Sequence, residues 1–212
     1  MDVVVLGGHG QVARRLLALL AGRGDRARGI VRDPGHVADL EAVGAEALVG
    51  DVEREDITPL VAGADAVVMA AGAGPGSGPE RKRTVDLGGA VKLIAAAKAT
   101  GARRYVMVSA MGAADPSAAS GGMGPYIEAK AEADAELAAS GLDHTIVRPG
   151  RLTNDPGTGR VEAAPRLERS GSITRDDTAA VLVAALDTPA TIGLAFEVLE
   201  GETPIAEAIA AL

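Results

Sequence analysis

The stretch Asp2-Val3-Val4-Val5-Leu6-Gly7-Gly8-His9-Gly10-Gln11-Val12-Ala13 decides the fold. Residues 2–6 are an aliphatic run stopped by glycines, which reads as a buried strand. Residues 11–21 carry apolar side chains at Val12, Leu16, Leu17, Leu19 and Leu20, with Arg14 and Arg15 on the other side. That pattern predicts an amphipathic helix, ended by the glycines at 22 and 24. Between strand and helix the spacing is Gly7, Gly10, Ala13. Gly7 allows a tight turn, Gly10 lets the backbone approach a pyrophosphate, and Ala13 keeps the helix close to the strand. The first helical N–H groups, at Gln11 and Val12, then offer themselves with the positive dipole end to phosphate oxygens. Ordinary strand-to-helix turns also use glycine, and the chain has 28 of them. The weight lies in the context, a strand before and a helix after in the first βαβ unit.

Outward from this unit, strands are predicted at 27–31, 45–49, 66–70, 104–109, 144–147 and 195–199. Helices are predicted at 34–43, 57–62, 85–100, 126–140 and 176–186. The alternation indicates an α/β fold, a Rossmann-type doubly wound parallel sheet with helices on both faces. Residues 1–212 read as one domain. From about residue 150 the chain is expected to form a small C-terminal cap on the substrate side.

Composition agrees. Nearly half of the 212 residues are hydrophobic, yet the aromatics are only Tyr105, Tyr126 and Phe196. The core must be Val, Leu, Ile and Ala, which suits strands covered on both faces. A net charge of −8 without stacking aromatics argues against nucleic-acid binding. Cysteine is absent, so disulfides and thiolate chemistry are excluded. The three histidines share no metal-ligand spacing, and no metal is expected. No apolar run approaches a bilayer span, and no signal peptide is read before the first strand. A cytoplasmic protein, monomer or homodimer, acting on a small-molecule substrate and independent of membranes, is the expectation.

The second strand ends at Arg32. In this fold an acidic residue there favours NAD, whereas arginine accommodates the 2′-phosphate of NADP. Arg32 therefore points to NADP(H) in preference to NAD(H), although Asp33 beside it leaves NAD open. Asp51 and Val52, after the third strand, are placed to hold the adenine; Asp51 reads equally well as a turn residue. Ala71 and Gly72, after the fourth strand, have the small side chains needed where backbone meets cofactor.

These residues carry a family resemblance. The chain resembles the atypical short-chain dehydrogenases/reductases, single-domain NAD(P)H-binding (NmrA-like) proteins often labelled NAD(P)-dependent epimerases. The likeness covers residues 7–13, Gly50-Asp51-Val52, Val85-Asp86-Leu87-Gly88-Gly89-Ala90, Arg104-Tyr105-Val106-Met107-Val108-Ser109, Tyr126-Ile127-Glu128-Ala129-Lys130, Thr145-Ile146-Val147-Arg148-Pro149-Gly150 and Asp176-Asp177-Thr178-Ala179. The superfamily's active members use Ser, a Tyr-xxx-Lys pair and Asn. The resemblance puts the serine on Ser109, the pair on Tyr126 and Lys130, and the asparagine, less securely, on Asp86. It also implies that Lys130 bonds the nicotinamide ribose and places Pro149 among the cofactor contacts. The acid at 86 departs from the active pattern and reads better as a first-turn helix acid.

Tyr126 and Lys130, four apart, share a helix face. An ammonium near a phenol stabilises the phenolate and lowers a pKa that starts near 10. Tyr126 could then exchange a proton with a substrate hydroxyl or carbonyl, with Ser109 orienting that oxygen. With four lysines and two tyrosines in the chain, the spacing is no accident of abundance. The expected function is an NADP(H)-binding oxidoreductase or epimerase-like enzyme. The alternatives are a non-catalytic NADP(H)-binding sensor and a flavin or quinone reductase that does not use Tyr126. The substrate is expected under the loops at 72–79 and 110–124 and the segment after Pro149. The triplet Arg81-Lys82-Arg83 reads as a solvated helix start in preference to a phosphate patch. His9 reads as a spacer, and His36 and His144 as isolated side chains.

Overall fold

A computed structural model describes residues 1–74, 76–118 and 123–212. The strands are β1 (Asp2–Leu6), β2 (Arg26–Val31), β3 (Glu46–Val49), β4 (Ala66–Met69), β5 (Arg104–Val108), β6 (Asp143–Pro149), β7 (Arg151–Thr153), β8 (Arg160–Ala164), β9 (Ser172–Thr174), β10 (Leu194–Glu200) and β11 (Thr203–Pro204). The helices are α1 (Gln11–Gly22), α2 (Val37–Glu41), α3 (Thr58–Val61), α4 (Pro79–Arg81), α5 (Gly88–Thr100), α6 (Gly124–Ala138), α7 (Arg175–Asp187) and α8 (Ile205–Ala210). Nine strands form one sheet in the order β11-β8-β10-β6-β5-β4-β1-β2-β3. From β10 through β3 every neighbouring pair is parallel; β8 runs against the rest, and β11, antiparallel to β8, returns to the common direction.

Strand alternation explains the two-sided core. Val3 and Val5 of β1 face one layer, with Leu16, Leu17 and Leu20 of α1 and Val181 and Leu182 of α7. Val4 and Leu6 face the other, with Leu93 and Ile94 of α5 and Leu137 of α6. The sequence turns back after β3, and β4 inserts on the other side of β1. The strand order therefore reverses between β1 and β4. Open α/β sheets bind ligands in the crevice at that point, beyond the strands' carboxyl ends.

Residues beyond 150 do more than cap that edge. β10 extends the parallel sheet beside β6, β8 and β11 close its far side, and only β7 and β9 form a separate two-stranded ribbon. α7 packs against α1 in the layer below. The short strands β7, β8, β9 and β11 and helix α8 are absent from the sequence reading. Their runs are too short and too polar to show a period. The helix expected from residue 85 begins earlier: α4 leads through a π-wound turn, Lys82–Leu87, into α5.

Candidate cofactor and active site

At the β1/β4 reversal a cavity of about 620 Å³ opens. Gly7, Gly10, Arg32, Asp51, Val52, Ala71 and Gly72, all expected to bind cofactor, line it together. Gly7 has φ +85°, and a Cβ there would stand 2.6 Å from the Cα of Ala71. The turn after β1 thus touches the end of β4 through backbone alone. Gly10 is the N-cap of α1, with extended backbone and no side-chain cap, and the first turn carries no acid. The opening N–H groups of a 12-residue helix are therefore left for an anion. Cradle, uncapped helix end and cavity all fit the diphosphate and adenosine of a nicotinamide dinucleotide.

The other expected contacts divide. Gln11 and Val12 begin α1, so their backbone is at this helix end, but the Val12 side chain is buried in the core. Pro149 ends β6 and accepts a hydrogen bond from the Met111 N–H; it does not line the cavity. Asp51 is partly committed to its own turn, because its Oδ1 accepts the Glu53 N–H at 2.9 Å.

Four more residues line the cavity: His9, read only as a spacer of the loop, Arg81, read as a solvated helix start, and His36 and Glu53, to which the sequence reading gave no part in the site. The two imidazoles are not isolated. They stack with ring centroids 3.5 Å apart, and His9 Nε2 lies 2.7 Å from Asp39 Oδ2. No sequence period links residues 9 and 36; the β1 turn and the segment after β2 bring them together.

The candidate catalytic residues lie further along the carboxyl edge, around the end of β5. Tyr126, Lys130 and Asp134 follow one another at four-residue spacing on α6, with Lys130 and Asp134 facing inward. Lys130 Nζ donates to the Val108 carbonyl at 3.0 Å and stands 3.3 Å from Asp86 Oδ1. Asp86 enters from the π-wound turn, and its Oδ2 accepts the Ala73 N–H at 3.1 Å. This corrects the reading of Asp86 as a first-turn helix acid: it lies in the π-wound turn before α5 and is 1% exposed, against 3% for Lys130. Ser109 is buried at the end of β5, its Oγ near the Asp134 carboxyl and without a full hydrogen bond among the described residues.

Asp134 adds a second buried pair that the sequence reading missed. Arg148 Nε donates to its Oδ2 at 2.8 Å. Burial raises the Asp134 carboxyl above the ordinary aspartate range. The nearby Ser109 hydroxyl and the Arg148 guanidinium pull the other way without reversing it. The helical spacing from Lys130 was the available signal.

The electrostatics reverse one expectation. The Tyr126 phenol is pushed up, not down, because burial outweighs Lys130 and because Asp86 and Asp134 also oppose ionisation. Lys130 Nζ is 5.9 Å from the centre of the Tyr126 ring, as is Lys82 Nζ. Lys130 also lies against Asp86 and the Val108 carbonyl. Tyr105, the other tyrosine, is wholly buried in β5 with its phenol also pushed up, and takes no part. The loops expected over the substrate, 72–79 and 110–124, fall partly outside the described residues.

Among the described residues no helix is long and apolar enough to cross a membrane. The profile of the NAD(P)H-binding family matches residues 7–189. A Bacillus subtilis protein named as an uncharacterized sugar epimerase, YhfK, is 44% identical over 212 residues, covering 99% of each chain. A Bacillus halodurans structure, provisionally assigned as an NAD-dependent epimerase/dehydratase, is 42% identical with a TM-score of 0.96, covering 100% of both chains. The oxidoreductase ylbE from Lactococcus lactis is 28% identical with a TM-score of 0.88, covering 100% of this chain and 96% of that one. With the glycine cradle at the strand-order reversal, these end-to-end likenesses show that the chain belongs to the NAD(P)H-binding family.

Proposed function

We propose that the protein is an NADP(H)-dependent reductase of a small carbonyl compound, with Tyr126 as proton donor, Ser109 as the group that orients the substrate oxygen, and Lys130 as a positioning residue. The observation that supports this reading is the placement of Tyr126, Lys130, Asp86 and Ser109 around the end of β5, with the Tyr126 phenol raised by burial. The raised phenol disfavours epimerisation through a hydroxyl, which starts with proton removal by a base.

Gly7, Gly10 and the α1 N-terminus would hold the diphosphate, Asp51 and Val52 the adenine, and Arg32 the 2′-phosphate. The bound nicotinamide supplies hydride to the substrate carbon. Tyr126 gives its proton to the oxygen that gains charge. Ser109 Oγ, buried at the end of β5 without a full hydrogen bond among the described residues, would donate to a substrate oxygen there. Lys130 holds Asp86 and the last carbonyl of β5, and so fixes the floor on which Tyr126 and Ser109 stand.

The engagement of Lys130 with Asp86 and Val108 also favours a second reading, a flavin or quinone reductase that relies on cofactor and pocket without Tyr126. Tyr126→Phe separates the two when NADPH oxidation is followed against carbonyl, quinone and flavin panels. Carbonyl turnover that collapses while NADPH affinity is kept supports the first reading. Undiminished turnover in the variant moves the assignment to the second.

A further inference from the structure

At the adenosine end of the cavity, charged side chains from three separate segments meet. Arg32 follows β2, Glu53 follows β3, and Arg81 closes α4; all three line the cavity. Arg32 Nη1 lies 3.3 Å from Glu53 Oε2, and Arg81 Nη2 lies 3.8 Å from the same oxygen. The Thr84 hydroxyl donates to the other oxygen, Oε1, at 2.7 Å. Arg81 is an exposed side chain at a helix start, as its basic triplet suggests, and it also faces this cavity.

Two guanidinium groups that reach one oxygen atom are close enough to share one phosphate. Guanidinium matches phosphate geometry in a way that few side chains do. A single carboxylate neutralises only one of the two positive charges. A phosphate monoester, with up to about two negative charges, matches the pair better.

We propose that Arg32 and Arg81 together clamp the phosphate monoester on the adenosine ribose of NADP(H), and that Glu53 is an internal anion which this phosphate displaces. The inference rests on the NADP(H) reading of Arg32 and deepens it by adding a ligand from a different segment and a residue that opposes binding. Glu53 holds both arginines in place and competes with the phosphate for them. NAD(H) brings no phosphate to this spot, so it leaves the arginine–glutamate contacts as they are. Arg81 and Glu53 thus act on the choice between the two dinucleotides and not on dinucleotide binding in general.

The test is isothermal titration of NADP+ and of NAD+ into the native protein and into Arg32→Gln, Arg81→Gln and Glu53→Gln, at one ionic strength. Arg81→Gln is expected to weaken NADP+ by about tenfold or more, the loss of a charge-assisted contact, while NAD+ moves by less than about twofold. Glu53→Gln is expected to tighten NADP+ severalfold and to leave NAD+ nearly unchanged. If Arg81→Gln weakens both dinucleotides alike, Arg81 serves the diphosphate and the inference is overturned. It is overturned equally if Arg81→Gln changes neither, or if Glu53→Gln weakens NADP+. A preference for NADP+ that is lost in Arg32→Gln but kept in Arg81→Gln sinks this inference alone. A native protein without such a preference sinks the NADP(H) reading beneath it.

Discussion

Lys130 and Asp86 face each other across 3.3 Å at the end of β5, with almost none of either side chain in contact with solvent. Taking both charges out of water is costly, and their mutual attraction repays that cost only while both are present. The pair is a condition of the site's geometry more than a source of stability. Removing one member strands the other.

Lys130→Met is accordingly expected to destabilise the fold by about 3–5 kcal/mol, and Asp86→Leu by a similar amount. The double variant should recover a large part of the loss, because no charge is left without a partner. Denaturant unfolding of the three variants measures this. Strictly additive losses would show that the two groups are not coupled.

Tyr126 yields a pH prediction. Its phenol is raised above the ordinary tyrosine value, with burial as the largest cause. A donor is active while protonated. The rate of carbonyl reduction should therefore stay level through neutral pH and decline only when the medium becomes more alkaline than a free tyrosine would tolerate. Tyr126→Phe should lower kcat by about 10²–10⁴, the usual worth of a positioned proton donor. A decline centred below about pH 8 in the native enzyme would assign the proton to another group.

Asp134 gives a stability profile with its own sign. Its folded-state pKa is raised, chiefly by burial. As pH climbs from the unfolded value near 3.8, the unfolded chain releases this proton before the folded one does. The folded state then binds more protons, and this group's contribution to stability falls as pH rises to its folded value. Asp134→Asn lacks that loss. The stability of the native protein minus that of the variant should shrink as pH is raised through the window just above the ordinary aspartate pKa. Urea unfolding at successive pH values reads this difference directly; a growing difference would mean that pairing with Arg148 outweighs burial.

Gly7→Ala tests the cradle. The substitution forces a side chain into the left-handed region at φ +85° and places a Cβ within 2.6 Å of the Ala71 Cα. Strain of this kind costs about 1–3 kcal/mol. Cofactor binding should be lost before the fold is, since relief requires the turn to lift away from β4. Titration with NADPH beside a thermal melt separates the two effects. A variant that binds with native affinity would contradict the close approach.

The sheet was legible in the sequence because its strands contain aliphatic runs of about four residues, such as Val3 to Leu6 and Ala66 to Met69, each preceded by an aspartate. The cofactor loop was legible because its demands fall on neighbouring residues, Gly7 to Ala13. What escaped reading depends on residues far apart in the chain. The stack of His9 on His36, the two arginines at Glu53, and the pairing of Asp134 with Arg148 arise only when separate segments are folded together. The direction of the Tyr126 shift escaped for the same reason. Four-residue spacing puts Lys130 on the right face of α6, but nothing in that spacing shows that Asp86 has already claimed the ammonium.

The π-wound turn at Lys82–Leu87 carries one last implication. Such turns hold an additional residue relative to the α-helical path and are common at functional sites. Removing a single residue between Lys82 and Val85 would let the segment rewind as α-helix without breaking it. The rewound helix would still pack, but Asp86 would swing off the line to Lys130, and Arg81 would be drawn out of step with Glu53. One insertion or deletion at this turn is thus a lever by which a lineage with this scaffold can retune both ends of the site at once.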